Sequence, residues 1–103
     1  MIIDLQLHSI HSDGYLTPTQ LASFVAKQGV KIASLTDHNT LSGQKEFREA
    51  CAKHKIKTIP GLELYVRLGN RKFNIIWYNY DEKSPELQAI LLESQKRRRR
   101  NMR

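Results

Sequence analysis

Apolar and polar positions divide the first third of the chain into two short extended runs with a helical segment between them. Residues 2–7 are mostly apolar, with β-branched side chains first, and this pattern predicts a strand. Residues 17–20, Thr-Pro-Thr-Gln, have the pattern of a capping box with proline at the first helical position, which predicts a helix that ends at Gly29. A second apolar run at residues 32–35 predicts the next strand.

The following segment repeats this alternation. Residues 41–54 carry apolar side chains at helical spacing, with Phe47, Ala50 and Cys51 on the face that we expect to be buried. Residues 57–60 predict a third strand. A β-α-β-α-β order with short connections is typical of a parallel sheet covered by helices, so the sequence predicts an α/β fold.

Two further extended runs interrupt the alternation. Residues 62–68 and 72–78 flank a Gly-Asn pair at 69–70, which is typical of the tight turn of an antiparallel hairpin. Residues 84–86, Ser-Pro-Glu, predict the start of a last helix, which runs into a cluster of arginines. The apolar face predicted for this helix consists of Leu87, Ile90 and Leu91.

The positive charge of the chain is concentrated at its end. The 103 residues suffice for one small domain and carry a formal net charge of +7. Six of the 17 Lys and Arg side chains lie in residues 96–103, which leaves eleven against ten acidic side chains over residues 1–95. The body of the protein is therefore nearly neutral. The basic end is typical of a solvated helix terminus, and contact with a nucleic acid is the alternative interpretation.

The chain has one cysteine, Cys51, so no internal disulfide can form. Residues 1–4 lack the basic segment and the long apolar run of a secretory signal, and no stretch approaches the roughly 18 consecutive apolar residues of a membrane span. We therefore expect a cytoplasmic protein without a membrane partner.

Histidine and carboxylate side chains follow each of the first three predicted strands. His8 and Asp13 follow the first strand, Asp37 and His38 follow the second, and Glu63 follows the third. Because the carboxyl ends of parallel strands lie at one edge, we expect these groups to converge. Mixed imidazole and carboxylate ligands suit Zn²⁺, Mn²⁺ or Fe²⁺, and paired ions of this kind favour phosphoester hydrolysis. Taken singly, Asp13 or Asp37 is as typical of a turn or a helix cap.

Three segments carry a family resemblance. Residues 4–14 (DLQLHSIHSDG), 36–43 (TDHNTLSG) and 59–63 (IPGLE) resemble, in order and spacing, the successive motifs of the PHP (polymerase and histidinol phosphatase) domain, most closely its stand-alone phosphoesterase-type branch. The resemblance implies the N-terminal part of a distorted (β/α)7 barrel, similar to a TIM barrel, with up to three metal ions at its C-terminal rim. On this interpretation residues 1–103 are a single partial domain without the C-terminal half of the barrel.

The resemblance also implies roles for single residues. His8, Asp13 and His38 match metal ligands of the family, and Glu63 matches a carboxylate that bridges two ions. Asp37 is expected to hold the loop that carries His38 rather than to bind metal. Three other residues are expected to be structural, namely His11, His54 and Cys51.

Two positions depart from the family pattern. Gln6 stands where the first motif has a histidine, and Asn74 stands where the hairpin is expected to provide another. Amide side chains are weak ligands for zinc-like ions compared with imidazole. We therefore expect fewer ions in this chain than the two or three of a complete family site.

Two functional hypotheses follow, and a third is weaker. In the first, the chain supports metal-dependent hydrolysis of a phosphate monoester or nucleotide-type phosphoester, once the missing half of the barrel or another chain completes the site. In the second, the changes at Gln6 and Asn74 make it a non-catalytic scaffold that binds phosphate or a partner. The third assigns the Arg-rich end to nucleic acid, although Arg97 and Arg98 are also candidates for contact with a substrate phosphate inside a full barrel.

Overall fold

Three parallel strands form the main sheet of the protein. A computed structural model describes residues 2–81 and 83–92. The strands β1 (Ile2–Leu7), β2 (Val30–Leu35) and β3 (Lys57–Thr58) pair in the order β1-β2-β3, so β2 is central. This confirms the predicted parallel sheet, although β3 is two residues shorter than expected because Ile59 and Pro60 lie outside the ladder.

Two helices cover the sheet. The helix α1 (Pro18–Lys27) begins with the predicted capping box, in which the Thr17 hydroxyl accepts from the Gln20 amide and the Gln20 side chain accepts from the Thr17 amide. The helix α2 (Gln44–Lys53) begins three residues later than predicted. Residues 41–43 form a turn there, and the Gln44 side chain instead donates to backbone carbonyls at the ends of β2 and β4.

A polar contact ties the beginning of α1 to α2. The hydroxyl and the amide of Thr19 both donate to the Glu46 carboxylate, at 2.8 and 2.9 Å. These bonds lower the pKa of Glu46, the hydroxyl contributing most and the backbone amide next. A negative charge at this position also favours the positive end of the α1 dipole.

The main core lies between the sheet and the two helices. Phe47 and Cys51 of α2 are fully buried, together with Leu35 of β2. The predicted buried face of α2, including Ala50, is thereby confirmed. The side chains of β1 contribute little to this core, and Ile3 remains about half exposed on its strand.

The predicted hairpin forms a second, antiparallel sheet. Strands β4 (Gly61–Leu68) and β5 (Arg71–Tyr78) pair residue for residue, from Gly61 opposite Tyr78 to Leu68 opposite Arg71. Gly69 adopts φ +62°, a conformation that the tight turn requires and that glycine adopts without strain. Near its beginning β4 also forms a parallel bridge to the segment that follows β2, between Glu63 and His38.

Residues 85–92 are helical and form α3, as far as the structure describes it. Leu87 and Leu91 are buried against Leu62, Leu64 and Tyr80, which makes a second core beneath the hairpin. The prediction for Ile90 was wrong. Its side chain is 48% exposed, whereas Leu87 and Leu91 are the positions of this helix that pack in the second core. Arg97 and Arg98 lie outside the described residues.

Within residues 2–81 and 83–92, none of the helices combines the length and the hydropathy needed to cross a lipid bilayer.

We predict that Phe47→Ala lowers the free energy of unfolding by about 3–5 kcal/mol, because it leaves a cavity between α2 and the sheet. Phe24→Ala is the matched control, since Phe24 is 52% exposed on α1. Its effect should stay below about 1 kcal/mol. Urea denaturation of the two variants measures the difference, and equal losses would contradict the packing of α2 described above.

We also predict that the Cys51 thiol is unreactive in the folded protein. Burial raises its pKa to about 11, which leaves little thiolate at neutral pH. At pH 8 iodoacetamide should alkylate the folded protein about a hundredfold more slowly than the protein in urea. Comparable rates in the two conditions would show that the core face of α2 opens readily.

Candidate metal centre

Two backbone hydrogen bonds set the geometry of the site. The Glu63 amide donates to the Asp37 carbonyl oxygen at 3.2 Å, and the Asn39 amide donates to the Glu63 carbonyl oxygen at 2.9 Å. Asn39 adopts φ +55°, a left-handed conformation that asparagine tolerates better than most residues. These contacts place the first part of β4 directly beside the segment that leaves β2.

Four predicted ligand residues converge at this junction. His8 lies between two carboxylates, with Nδ1 3.1 Å from Asp13 Oδ1 and Nε2 3.1 Å from Glu63 Oε1. His38 lies between the same two carboxylates, with Nε2 3.0 Å from Asp13 Oδ2 and Nδ1 3.4 Å from Glu63 Oε2. The two imidazole rings have their centroids 4.5 Å apart. Groups from three separate segments therefore form one closed cluster.

The donor set of this cluster fits a divalent metal ion. His8, His38 and Glu63 each offer a ligand atom, and these atoms all lie within 4.8 Å of one another. Imidazole nitrogen combined with carboxylate oxygen is the ligand mixture that Zn²⁺, Mn²⁺ and Fe²⁺ accept. Asp13 could add a further oxygen, and its side chain is the most exposed of the four at 58%.

The charges in the cluster also favour a bound cation. The Glu63 carboxylate is almost fully buried, and within the described part of the chain the basic groups within 4 Å of it are the two histidines alone. His38 Nδ1 is also buried without a hydrogen-bond partner among the described residues. A buried carboxylate beside an unpartnered imidazole nitrogen is costly unless a cation or a proton compensates it. A bound metal ion would satisfy both groups.

Asp37 holds the loop that carries two of the four residues. Its carboxylate is fully buried and accepts from the Ser9 amide and the Ser9 hydroxyl, both at 2.6 Å, and from the Ser12 hydroxyl at 2.7 Å. Hydrogen bonds to a charged acceptor contribute about 1.5–3 kcal/mol each. Ser9 and Ser12 lie between His8 and Asp13, so Asp37 holds the loop of these two residues, whereas the sequence predicted that it would hold the loop of His38.

A glycine allows the same loop to turn back on itself. The Gly14 amide donates to the Ser9 carbonyl oxygen at 2.9 Å. A Cβ atom at position 14 would lie 2.1 Å from the carbonyl oxygen of His8, which is closer than any side chain tolerates. The close approach that positions His8 therefore requires glycine.

The structure places the remaining candidates around this cluster. Gln6 donates from Nε2 to Glu63 Oε1 at 3.5 Å, the long limit of a hydrogen bond. Asn74 lies exposed on β5, opposite Tyr65. His11 does not join the cluster, and its Nδ1 lies 2.8 Å from the Ser42 hydroxyl. His54 lies at the C-cap of α2, where it is exposed.

Sequence reasoning missed one residue beside the cluster. The Tyr65 ring stacks on the His38 ring, with centroids 4.8 Å apart and planes inclined by 14°. The period of two in a strand was the available signal, because it places Tyr65 on the same face of β4 as Glu63.

Several known proteins with similar sequences are named for the cleavage of phosphoesters. The chain is 39% identical over 93 residues to a 5'-3' exoribonuclease of Haemophilus influenzae, covering 90% of this chain and 34% of that protein. It is 36% identical over 89 residues to a 3',5'-nucleoside bisphosphate phosphatase of Chromobacterium violaceum, covering 86% of this chain and 31% of that protein. It is 32% identical over 103 residues to a phosphoribosyl 1,2-cyclic phosphate 1,2-diphosphodiesterase of Eggerthella lenta, covering 98% of this chain and 39% of that protein.

Solved structures show the same fold. An amidohydrolase from C. violaceum, with sulfate bound and no metal, superimposes with a TM-score of 0.90 at 34% identity, covering 95% of this chain and 34% of that one. The chain thus spans about a third of the length of the relatives that it matches.

The family model described as PHP domain matches residues 4–102, which include all four residues of the cluster. The chain belongs to the PHP domain family.

Proposed function

We propose that the protein is the N-terminal portion of a metal-dependent phosphoesterase that hydrolyses a phosphate monoester or a nucleotide-type phosphoester. The observation that carries this proposal is the closed cluster of two histidines and two carboxylates, with all four ring nitrogens 3.0–3.4 Å from carboxylate oxygens. The names of the three relatives support the same class of reaction, because each denotes cleavage of a phosphoester.

Each side chain of the cluster would have a distinct role in holding divalent ions. His8, His38 and Glu63 would provide the inner ligands, and Asp13 would close the site toward solvent. Glu63 presents one oxygen to each histidine, as a carboxylate shared between two ions would. Bound Mn²⁺, Zn²⁺ or Fe²⁺ would lower the pKa of a water and stabilise charge on a phosphoryl group. Asp37 keeps the ligands in place by fixing the loop between His8 and Asp13.

By this proposal, additional polypeptide is needed to complete the metal site. Structural zinc-like ions take about four ligands and catalytic ones about three, so four side chains do not suffice for two or three ions. We propose that the rest of a (β/α)7 barrel, from the same polypeptide or from another chain, provides the remaining ligands and covers the exposed strands. The exposed apolar side chains of β1 and β5 suit such a cover, among them Ile3, Leu5, Ile75 and Trp77.

A second candidate function rests on Gln6. Its amide nitrogen faces the Glu63 carboxylate, where the family has an imidazole ligand. An amide that donates to this carboxylate would leave it less available to a metal ion. A PHP domain altered in this way would bind phosphate or a partner without turnover, and its metal content distinguishes the two functions.

We predict that, in the protein with its barrel completed, His8→Ala and Glu63→Gln each abolish metal-dependent release of phosphate from nucleotides and sugar phosphates, and lower the Mn²⁺ content. Each variant removes one of three groups that share a ligand site. His54→Ala is the matched control, since this exposed histidine lies away from the cluster. Phosphate release and metal analysis of the purified protein are the measurements. Activity that survives both substitutions would contradict the phosphoesterase proposal, and one tightly bound ion or none would favour the scaffold.

We predict that Asp37→Asn weakens Mn²⁺ binding about 10- to 100-fold while the helices persist. The substitution removes the charge that accepts three hydrogen bonds and places an amide donor among them, so the loop from His8 to Asp13 loosens. Asp4→Asn is the control, because Asp4 accepts only the local Gln6 amide among the bonds recorded for it. Calorimetric titration with Mn²⁺ and circular dichroism measure the two effects. Unchanged affinity in Asp37→Asn would show that the loop keeps its geometry without this carboxylate.

A further inference from the structure

Tyr65 occupies a position between the metal cluster and solvent. Its amide donates to the Asn39 side chain at 3.0 Å, which fixes this part of β4 against the segment that carries His38. One face of its ring stacks on the His38 imidazole, 4.8 Å between centroids. His38 in turn lies 3.0 Å from Asp13 and 3.4 Å from Glu63. Tyr65 therefore contacts one candidate metal ligand directly, and the imidazole ring of His38 lies between Tyr65 and the two carboxylates.

The other face of the Tyr65 ring is available to a ligand. The residue is 53% exposed, although His38 covers one side of the ring. Tyr80 provides a comparison within the same sheet region. It is buried, and its hydroxyl donates to the Gly61 carbonyl at 3.0 Å, so it serves packing. Tyr65 belongs to neither core cluster, and packing does not account for an aromatic ring at the rim of a polar site.

A neighbouring amide adds a polar group at the edge of this ring. Asn74 lies directly opposite Tyr65 in the hairpin, so both side chains project from the same face of the sheet. Asn74 is exposed, and its amide offers both hydrogen-bond donors and an acceptor. A flat aromatic surface with a donor and an acceptor beside it matches the face and the edge of a nucleobase.

We infer that Tyr65 is a specificity-determining residue that stacks on the base of a nucleotide whose phosphate lies at the His8–His38–Glu63 cluster. The inference rests on the proposed phosphoesterase function and narrows its substrate to esters that carry an aromatic base. Because Tyr65 stacks on His38, a base that contacts Tyr65 would lie beside the cluster, and the ribose of the substrate would join it to the phosphate there. Stacking is tolerant of base identity, so Tyr65 selects nucleotides as a class.

The experiment compares two probes that differ only by the base. AMP and ribose 5-phosphate are titrated calorimetrically into the Mn²⁺-loaded protein with its barrel completed, with Tyr65→Leu as the test variant and Tyr65→Phe as the matched control. The unsubstituted protein should bind AMP at least tenfold more tightly than ribose 5-phosphate. Tyr65→Phe retains the ring and should keep this preference. Tyr65→Leu should lose AMP affinity about tenfold to hundredfold, with ribose 5-phosphate binding and Mn²⁺ content unchanged.

The other outcomes contradict either the inference about Tyr65 or the proposed phosphoesterase function. Equal loss of both probes in Tyr65→Leu, with a lower Mn²⁺ content, would show that Tyr65 only positions His38, and this overturns the inference. Equal binding of both probes by the unsubstituted protein would overturn the inference while leaving the phosphoesterase proposal intact. If the unsubstituted protein, with Mn²⁺ bound, binds neither probe, the proposed function fails and the inference fails with it.

Discussion

The pairing of Glu63 with the segment that leaves β2 is the contact on which the rest of the site depends. Two backbone hydrogen bonds, to Asp37 and from Asn39, dock the antiparallel hairpin onto the edge of the parallel sheet. They place Glu63 beside His38, and side-chain hydrogen bonds of Gln44 and Asn39 hold the same junction. Because the first two bonds use backbone atoms, they set the position of the Glu63 side chain independently of any ligand.

Burial of charge is the second constraint. Asp37 and Glu63 are both buried carboxylates, but they differ in how they are compensated. Asp37 accepts three short hydrogen bonds from Ser9 and Ser12, which compensate the burial of its carboxylate. Glu63 faces two imidazoles and one amide, which leaves room for a cation to complete its surroundings. A buried carboxylate therefore holds a loop at one position and is a candidate metal ligand at the other.

The two sheets also leave distinct surfaces uncovered. The Tyr78 hydroxyl donates to the Leu5 carbonyl at 2.6 Å, so the end of β5 approaches β1. Large apolar side chains on both strands stay exposed around this contact. The relatives that the chain matches are about three times as long. Burial of these exposed strand surfaces by additional polypeptide would stabilise the sheet.

Local signals in the sequence were sufficient for most of the fold. The capping box at Thr17 and the Gly-Asn turn act over a few residues, and each formed as expected. The PHP motifs likewise marked His8, Asp13, His38 and Glu63 as one set, because the end of each strand is defined locally and parallel strands share an edge. Boundaries were less certain, and α2 begins at Gln44 because the Gln44 side chain bonds to two distant carbonyls.

Only the tertiary structure decided which side chains meet across long stretches of sequence. Asp37 holds Ser9 across 28 residues, and His8 faces Glu63 across 55. The stacking of Tyr65 on His38 has no local signature, since a strand pattern predicts the face of a residue but not what lies opposite it. The exposure of Ile90 is likewise not evident from the sequence, since its spacing from Leu87 and Leu91 is that of an apolar helix face. The sequence alone determined the ligand types and their order, whereas packing between the two sheets determined their geometry.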